Sequence, residues 1–354
     1  MKKKVAVAMS GGVDSSVAAF LLKETGCEVV GITMCLGVKT PDDKRAECRG
    51  KEAIDDAKKV CGRLKISHHV MDCSRELEEK VIKPFVEEYL KGRTPNPCVS
   101  CNRYLKFGSL LDKIKVMGFD CLATGHYAKV EDGILKKPKD VEKDQTYFLY
   151  YIKKDSLSSI LFPLEDLTKK EVRKIARKAN LPAAEKPQSQ DICFIPEGNY
   201  KNFIMTRVKD IKPGAILDLE GNLLGEHRGT VFYTIGQREG LGIGGGNPFY
   251  VVSTNPDKNQ VIVGNNSDLN SRGLIAGHIN LFVEQLPDEV FAKIRYAHKE
   301  AECRIYREDS KIRVIFKEQQ RAVAPGQSVV FYEDEKVLGG GIIEEVVSES
   351  VRKN

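Results

Sequence analysis

Val5-Ala6-Val7-Ala8-Met9-Ser10-Gly11-Gly12-Val13-Asp14-Ser15-Ser16 is the stretch on which the reading of the fold turns. Val5 to Met9 is an apolar run of strand length, and Ser15 to Leu22 has helical spacing, so the glycines fall at a strand-to-helix junction. There, glycines let the backbone approach an anion, hydroxyls and amides share one concavity, and the helix N-terminus adds partial positive charge. The stretch is therefore an anion cradle. It is not a Walker A loop, because no Gly-Lys-Ser/Thr follows. Asp14 as a mere helix cap is the plainer reading; beside a bound triphosphate it would help to hold Mg²⁺, a hard cation that prefers carboxylate and phosphate oxygens.

Working outward, Glu28–Met34 reads as a buried strand, and Ile66–Met71 and Phe119–Thr124 as further strands. Between them lie helical patterns: Glu47–Leu64, with Ala53, Ile54, Ala57, Val60, Cys61 and Leu64 on one stripe, then Leu77–Leu90 and Asn102–Met117. This βαβα order predicts an α/β fold with a parallel sheet covered on both faces. Lys129–Lys136, centred on Asp132-Gly133, has hairpin chemistry, and Thr168-Lys169-Lys170-Glu171 is a capping box opening a helix to about Ala179. Asn199–Val208 still has helical spacing. Beyond it, Ala292–Tyr296, Ala301–Tyr306, Lys311–Phe316, Ser328–Tyr332 and Val337–Ile343 lie between turn residues and predict a small β-barrel. The boundaries fall near 197 and 269, giving 1–197, 198–268 and 269–354. Gly240-Leu241-Gly242-Ile243-Gly244-Gly245 matches a dinucleotide fingerprint by letter, but a strand pattern follows it, so it reads as a loop.

The chain has 354 residues, 41% hydrophobic and 30% charged, a composition that excludes a disordered or collagenous protein. No apolar run approaches the roughly 18–20 residues of a membrane span, and Val5–Met9 is too short for a signal-peptide core, so a cytoplasmic protein without a membrane partner is expected. A formal net charge of +6 permits RNA binding without implying it. Ten cysteines in such a chain point to metal or sulfur chemistry for some of them. Cys98-Val99-Ser100-Cys101 precedes a helix, where thiols are expected to be exposed and of lowered pKa. Cys193, between apolar neighbours, reads on its own as a buried cysteine, and Cys27, Cys35, Cys48, Cys61, Cys73, Cys121 and Cys303 read as small apolar fillers. A zinc ribbon lacks its second ligand pair.

The cradle Ser-Gly-Gly-x-Asp-Ser resembles the PP-loop of ATP pyrophosphatases. Four further groups extend the likeness: Gly92-Arg93-Thr94-Pro95-Asn96-Pro97 leading to Cys101-Asn102 and Lys106-Phe107; Thr124-Gly125-His126-Tyr127; Asp144-Gln145-Thr146-Tyr147-Phe148-Leu149; and Ser189-Gln190-Asp191-Ile192-Cys193-Phe194. With Tyr233-Thr234-Ile235-Gly236-Gln237-Arg238 and Pro325-Gly326-Gln327, the whole chain resembles the bacterial tRNA-specific 2-thiouridylase family. That resemblance implies a PP-loop domain, a small central domain and a C-terminal barrel that grips tRNA. It implies an ATP site at Ala8, Met9, Ser10, Gly11, Gly12, Val13, Asp14, Ser15, Met34 and Gly125. It places the target base near Asn96, Pro97 and Cys98, and tRNA contacts at His126, Lys143, Asp144, Gln145, Arg295, Tyr296 and Gln327. Read singly, His126 is a core histidine, and Arg295 and Tyr296 belong to a solvated strand.

The same resemblance implies the chemistry: AMP transfer to the C2 oxygen of a wobble uridine, then sulfur attack from a Cys193 persulfide. Cys101 acts as the thiolate that frees the sulfur, leaving a Cys101–Cys193 disulfide, and a cysteine desulfurase or sulfur-relay protein is the donor. The best-known members carry Asp where this chain has Cys98. Three cysteines, Cys98, Cys101 and Cys193, could instead hold an iron-sulfur cluster that binds the transferred sulfide, and the two schemes compete for the same residues. Outside the family, a PP-loop ligase adenylating a small metabolite and a non-enzymatic RNA-binding metalloprotein are the alternatives.

Overall fold

The computed structural model describes residues 2–37, 51–187, 192–195, 199–244 and 248–347. The chain forms two compact units, one of Met1–Ile82, Cys98–Gly198 and Asp334–Val337, the other of Lys83–Pro97, Asn199–Glu333 and Leu338–Asn354.

The first unit opens with β1 (Lys4–Ala8), α1 (Val13–Glu24), β2 (Glu28–Cys35), α2 (Lys51–Leu64) and β3 (Ser67–Asp72). The expected Leu77–Leu90 helix is α3 (Ser74–Leu77), a π turn at Glu78–Ile82 and α4 (Lys83–Leu90), with Leu77, Val81, Ile82, Phe85 and Tyr89 buried as the spacing requires. The next helix begins five residues earlier than read, at Pro97. It passes from α5 (Pro97–Ser100) through a π segment, Cys101–Leu110, into α6 (Leu111–Val116). Proline suits that first helical position, since its missing N–H would have no intrahelical partner there.

β4 (Cys121–Ala123) follows, then the hairpin β5 (Lys129–Glu131) and β6 (Ile134–Lys136), the short strand β7 (Ile160–Leu161) and α7 (Lys169–Lys178). Asp132 and Gly133 both have positive φ, at 53° and 72°, as a two-residue hairpin turn demands. The Thr168 hydroxyl accepts from the Glu171 N–H while the Glu171 carboxylate accepts from the Thr168 N–H, completing the capping box.

The sheet runs β3-β2-β1-β4-β7, with every neighbouring pair parallel. Val5, Val7, Val17, Ala18, Ala57, Val60 and Cys61 are almost wholly buried between β1 and its covering helices. The connection reverses direction at β1, which has β2 on one side and β4 on the other. In open parallel sheets a ligand crevice lies beyond the strand C-termini at such a reversal. Here that crevice is flanked by the loops after β1 and β4.

In the second unit, α8 (Tyr200–Met205) precedes β8 (Gly214–Leu217), β9 (Leu223–His227), β10 (Tyr250–Asn255) and β11 (Gln260–Gly264), which form a sheet of order β10-β11-β8-β9. Gly240–Gly244 forms no helix, in keeping with a loop, and Gly245 lies outside the described residues. The barrel consists of β12 (Asn270–Leu281), β13 (Glu289–Lys293), β14 (Ala301–Glu308), β15 (Lys311–Arg321), β16 (Ser328–Glu333) and β17 (Lys336–Val347). Its order is β12-β15-β14-β13-β16-β17, and antiparallel β12–β17 pairing closes it. β12 is absent from the sequence reading. Register shifts in its pairing with β17 and a positive φ at His278 break the period-two pattern that would have announced it.

Candidate active site

The cradle is built as its sequence requires. Gly11 has φ +72°, and a Cβ there would lie 2.7 Å from the Ala53 carbonyl oxygen, so both conformation and space exclude a side chain. The Ser15 and Ser16 hydroxyls donate to the Gly12 carbonyl at 3.1 and 2.8 Å, and Ser15 Oγ also accepts from the Ser10 N–H at 3.3 Å. Gly12 caps α1 without any side-chain hydrogen bond. The first-turn amides are thus left to an incoming anion, assisted by the helix dipole.

The loop after β4 closes against this cradle. A Cβ on Gly125 would lie 2.5 Å from the Ser15 backbone nitrogen, so only glycine permits the approach. Two residues on, the buried Tyr127 donates its hydroxyl to Asp14 Oδ1 at 3.0 Å. Burial first, and Asp14 second, raise the Tyr127 pKa, which keeps the phenol a donor. Lys169, at the start of α7, reaches both Asp14 oxygens at 2.6 Å. Both carboxylate oxygens of Asp14 are therefore already engaged by an ammonium ion. The donor arrangement does not present Asp14 as a ready Mg²⁺ ligand.

His126, between Gly125 and Tyr127, faces the other way. Its Nδ1 lies 2.6 Å from Thr124 Oγ1 and its Nε2 3.4 Å from Lys106 Nζ, with Phe107 and Phe162 packed about the ring. Burial of the ring, then the Lys106 charge, hold its pKa well below the ordinary value, so the imidazole is neutral near pH 7. Lys106 in turn acts electrostatically on Cys98, Cys101 and Cys193. Cys101 opens the π segment and Lys106 lies five residues along it. The i→i+5 register of a π helix stacks such residues one turn apart, whereas an α-helix would turn them to different faces.

The three thiols lie within electrostatic range of one another, but their expected characters are reversed. Cys101 is buried and Cys98 half-buried, and both thiols are raised, by burial first, with Lys106 pulling them back. The helix N-terminus does not outweigh the loss of hydration. Cys193, read alone as a buried cysteine, is an exposed residue. Its thiol is nevertheless pushed up to about 12, by enclosure first and Cys101 second. Exposure describes the whole residue and the shift describes the sulfur, whose enclosure leaves little of it thiolate at neutral pH. None of the three is in a disulfide. Cys35, expected as an apolar filler, is disulfide-bonded at the open end of β2, away from the core that such a filler would occupy; Cys48 lies outside the described residues. Among the described residues no three His, Cys, Asp or Glu side chains converge as a metal-binding group, so the residues present do not fit an iron-sulfur cluster.

The motifs expected to meet tRNA carry structural bonds of their own. Gln145 exchanges two bonds with Tyr127, its Oε1 and its N–H each pairing at 3.0 Å with the Tyr127 backbone. Asp144 is buried and accepts from the Thr146 N–H, while Asn102 donates to the Phe148 carbonyl, tying the Cys101 segment to the Asp144–Leu149 motif. Lys143 ends a short 3₁₀ turn, and Met34 lies near the end of β2. In the second unit, Gln327 donates to the Thr94 carbonyl at 2.7 Å and the Thr94 N–H to the Pro325 carbonyl at 2.8 Å. The barrel thereby anchors the loop that runs on to Asn96 and Pro97. Arg295 donates to the Ile235 and Ala322 carbonyls, Tyr296 is exposed, and Lys293 lies over its ring. Burial and then Arg295, Arg321 and Lys293 depress the His298 pKa, which marks this face as cationic.

The tRNA methyl transferase HUP domain family matches residues 3–197, more than half of the chain; the tRNA methyl transferase PRC-barrel domain matches 201–265, and the aminomethyltransferase beta-barrel domain 271–343. The tRNA-specific 2-thiouridylase MnmA 1 of Syntrophus aciditrophicus (strain SB) is 55% identical over 98% of this chain and 94% of its own length. The chain belongs to the tRNA-specific 2-thiouridylase family. The MnmA 1 of Caldanaerobacter subterraneus subsp. tengcongensis is 49% identical over 98% of this chain and 99% of its own. The MnmA of Carboxydothermus hydrogenoformans is 47% identical over 97% and 98%. Membership makes this a transferase that modifies tRNA, with an ATP-using HUP domain. Among the described residues no helix is long and apolar enough to cross a membrane. Two cations that face these groups carry no local signal in the sequence: Lys106 falls within a motif, and Lys169, 155 positions from Asp14, within a helix cap.

Proposed function

We propose that this chain exchanges the C2 oxygen of a tRNA wobble uridine for sulfur, by adenylation followed by persulfide transfer. One observation carries the reading: a single turn, Thr124–Tyr127, joins phosphate cradle to thiol cluster. Gly125 abuts Ser15 and Tyr127 holds Asp14, while His126 bonds Lys106 amid Cys98, Cys101 and Cys193. A site that activates an oxygen with ATP and then delivers sulfur needs both halves side by side.

The C2 carbonyl is urea-like and a poor electrophile. Its oxygen attacks the α-phosphorus of ATP, pyrophosphate leaves, and C2 then carries AMP as a leaving group. The cradle orients the phosphates through the first-turn amides of α1. The terminal sulfur of a Cys193 persulfide attacks C2 and expels AMP. The Cys101 thiolate then attacks Cys193 Sγ, breaking the sulfur–sulfur bond to the new C2–S group and leaving a Cys101–Cys193 disulfide for an external thiol to reduce. Exposure of Cys193 suits loading by a cysteine desulfurase or sulfur-relay protein, and burial of Cys101 protects the second thiol until it is needed. The base must leave its stack to reach this site. Asn96 and Pro97, leading into Cys98, are assigned to the target base, and the cationic face around Arg295, Tyr296 and His298, with His126, Lys143–Gln145 and Gln327, to the tRNA body. The division 1–197, 198–268 and 269–354 follows these roles, in a cytoplasmic enzyme.

The test is release of pyrophosphate from ATP with and without tRNA. Release that requires tRNA and is matched by 2-thiouridine formation supports the reading. Release that instead requires a small metabolite would make the chain a ligase.

A further inference from the structure

We infer that Lys169 is a phosphate-binding residue of the nucleotide site, held in reserve on Asp14 and passed to the pyrophosphate half of ATP when the nucleotide enters. The inference rests on reading the cradle as that site. An ATP cradle must offset several negative charges, yet Ser10–Ser16 contains no lysine or arginine. The commonest remedy elsewhere, a lysine inside the loop, is absent from this sequence.

The fold brings a cation from far along the chain instead. Lys169 Nζ lies 2.6 Å from both oxygens of Asp14, itself a cradle residue in the first turn of α1. An ammonium group has three N–H donors. Two meet Asp14, which leaves one for a phosphate oxygen. Lys169 is fixed by its own element: it is the first residue of α7, its backbone N–H donates to Asp140 Oδ2 at 2.7 Å, and Thr168 before it sits in the capping box. The Tyr127 ring, 5.8 Å from Nζ, favours a cation on that path. Tyr127 also donates to Asp14, so the carboxylate keeps a partner when the ammonium turns to phosphate. Lys169 is largely enclosed, with 13% of its side chain exposed, so its charge is little screened.

The experiment measures binding of inorganic pyrophosphate, ATP and AMP to the full chain by calorimetry in EDTA, for four proteins: parent, Lys169→Met, Asp14→Asn and the double variant. Lys169→Met is expected to weaken pyrophosphate and ATP at least tenfold and to leave AMP within about twofold. Asp14→Asn frees the ammonium and is expected to bind pyrophosphate more tightly than the parent, and the double variant to lose that gain. Both proteins that carry Asp14→Asn lack the carboxylate, so their comparison isolates the ammonium, and thermal unfolding of each confirms that it is folded. Equal pyrophosphate affinity for Asp14→Asn and the double variant would overturn the inference and leave Lys169 a structural partner of Asp14. A parent that binds neither ATP nor pyrophosphate would overturn the nucleotide site itself, whereas normal binding without thiolation would count against the proposed function alone.

Discussion

The phosphate cradle and the cysteine cluster belong to one compact unit, yet they are made in opposite ways. The cradle is backbone: amides at the start of α1, glycines without room for a Cβ, and two hydroxyls turned onto Gly12. The cluster is side chains: two thiols on a helix interrupted by a π segment, and a third more than ninety residues away on irregular chain. A backbone site is specified by local conformation, so a short motif announces it. Thiol reactivity depends on hydration and neighbouring charge, which local sequence does not contain.

The largest effect expected from breaking this comparison is at the exposed thiol. Cys193→Ser should abolish 2-thiouridine formation, read by nucleoside mass spectrometry, while tRNA affinity in a filter or gel assay stays within about twofold. Loss of binding would make Cys193 a structural residue instead. On the backbone side, Gly125→Ala inserts a Cβ 2.5 Å from the Ser15 nitrogen, with no flexible side chain to yield. Overpacking of this kind costs about 1–3 kcal/mol, and thermal unfolding should show a lowered Tm together with weakened ATP binding. An unchanged Tm would mean that the two loops can part without cost.

A third prediction sharpens the contrast in thiol character. Because the Cys98, Cys101 and Cys193 thiols are raised, the last to about 12, the thiolate fraction keeps growing with pH well beyond neutrality. Alkylation of Cys193, followed by peptide mass spectrometry, should quicken about tenfold per pH unit from 7 to 10. A plateau below pH 8 would reveal a stabilised thiolate at Cys193 and overturn the effect of its enclosure. The smallest effect lies at the helix that carries Lys169. Thr168→Ala removes the hydroxyl that accepts from the Glu171 N–H and should cost about 0.5–2 kcal/mol, measured by denaturant unfolding.

These contrasts explain what could be read in advance. The parallel sheet was legible because β1, β2 and β4 are continuous apolar runs between amphipathic helices. The barrel was legible except at β12, where register shifts and a positive φ erase the alternation. Local chemistry singled out Cys98 and Cys101 and resemblance added Cys193, but their burial ran against the local reading at both ends. Cys98-Val99-Ser100-Cys101 looked exposed and Cys193 looked buried, and the packing inverted both.

What the sequence by itself determined was the cradle and the sheet that presents it. Strand length, glycine conformation and helix spacing act within a dozen residues, so a short motif announces them. What only the tertiary structure decided was which charges face one another: Lys169 on Asp14, Lys106 on His126 and among the thiols. Those pairs span from about 20 to more than 150 positions of chain, or depend on a π register that no short motif specifies. Electrostatics follows distance in space, and only the folded chain sets that distance.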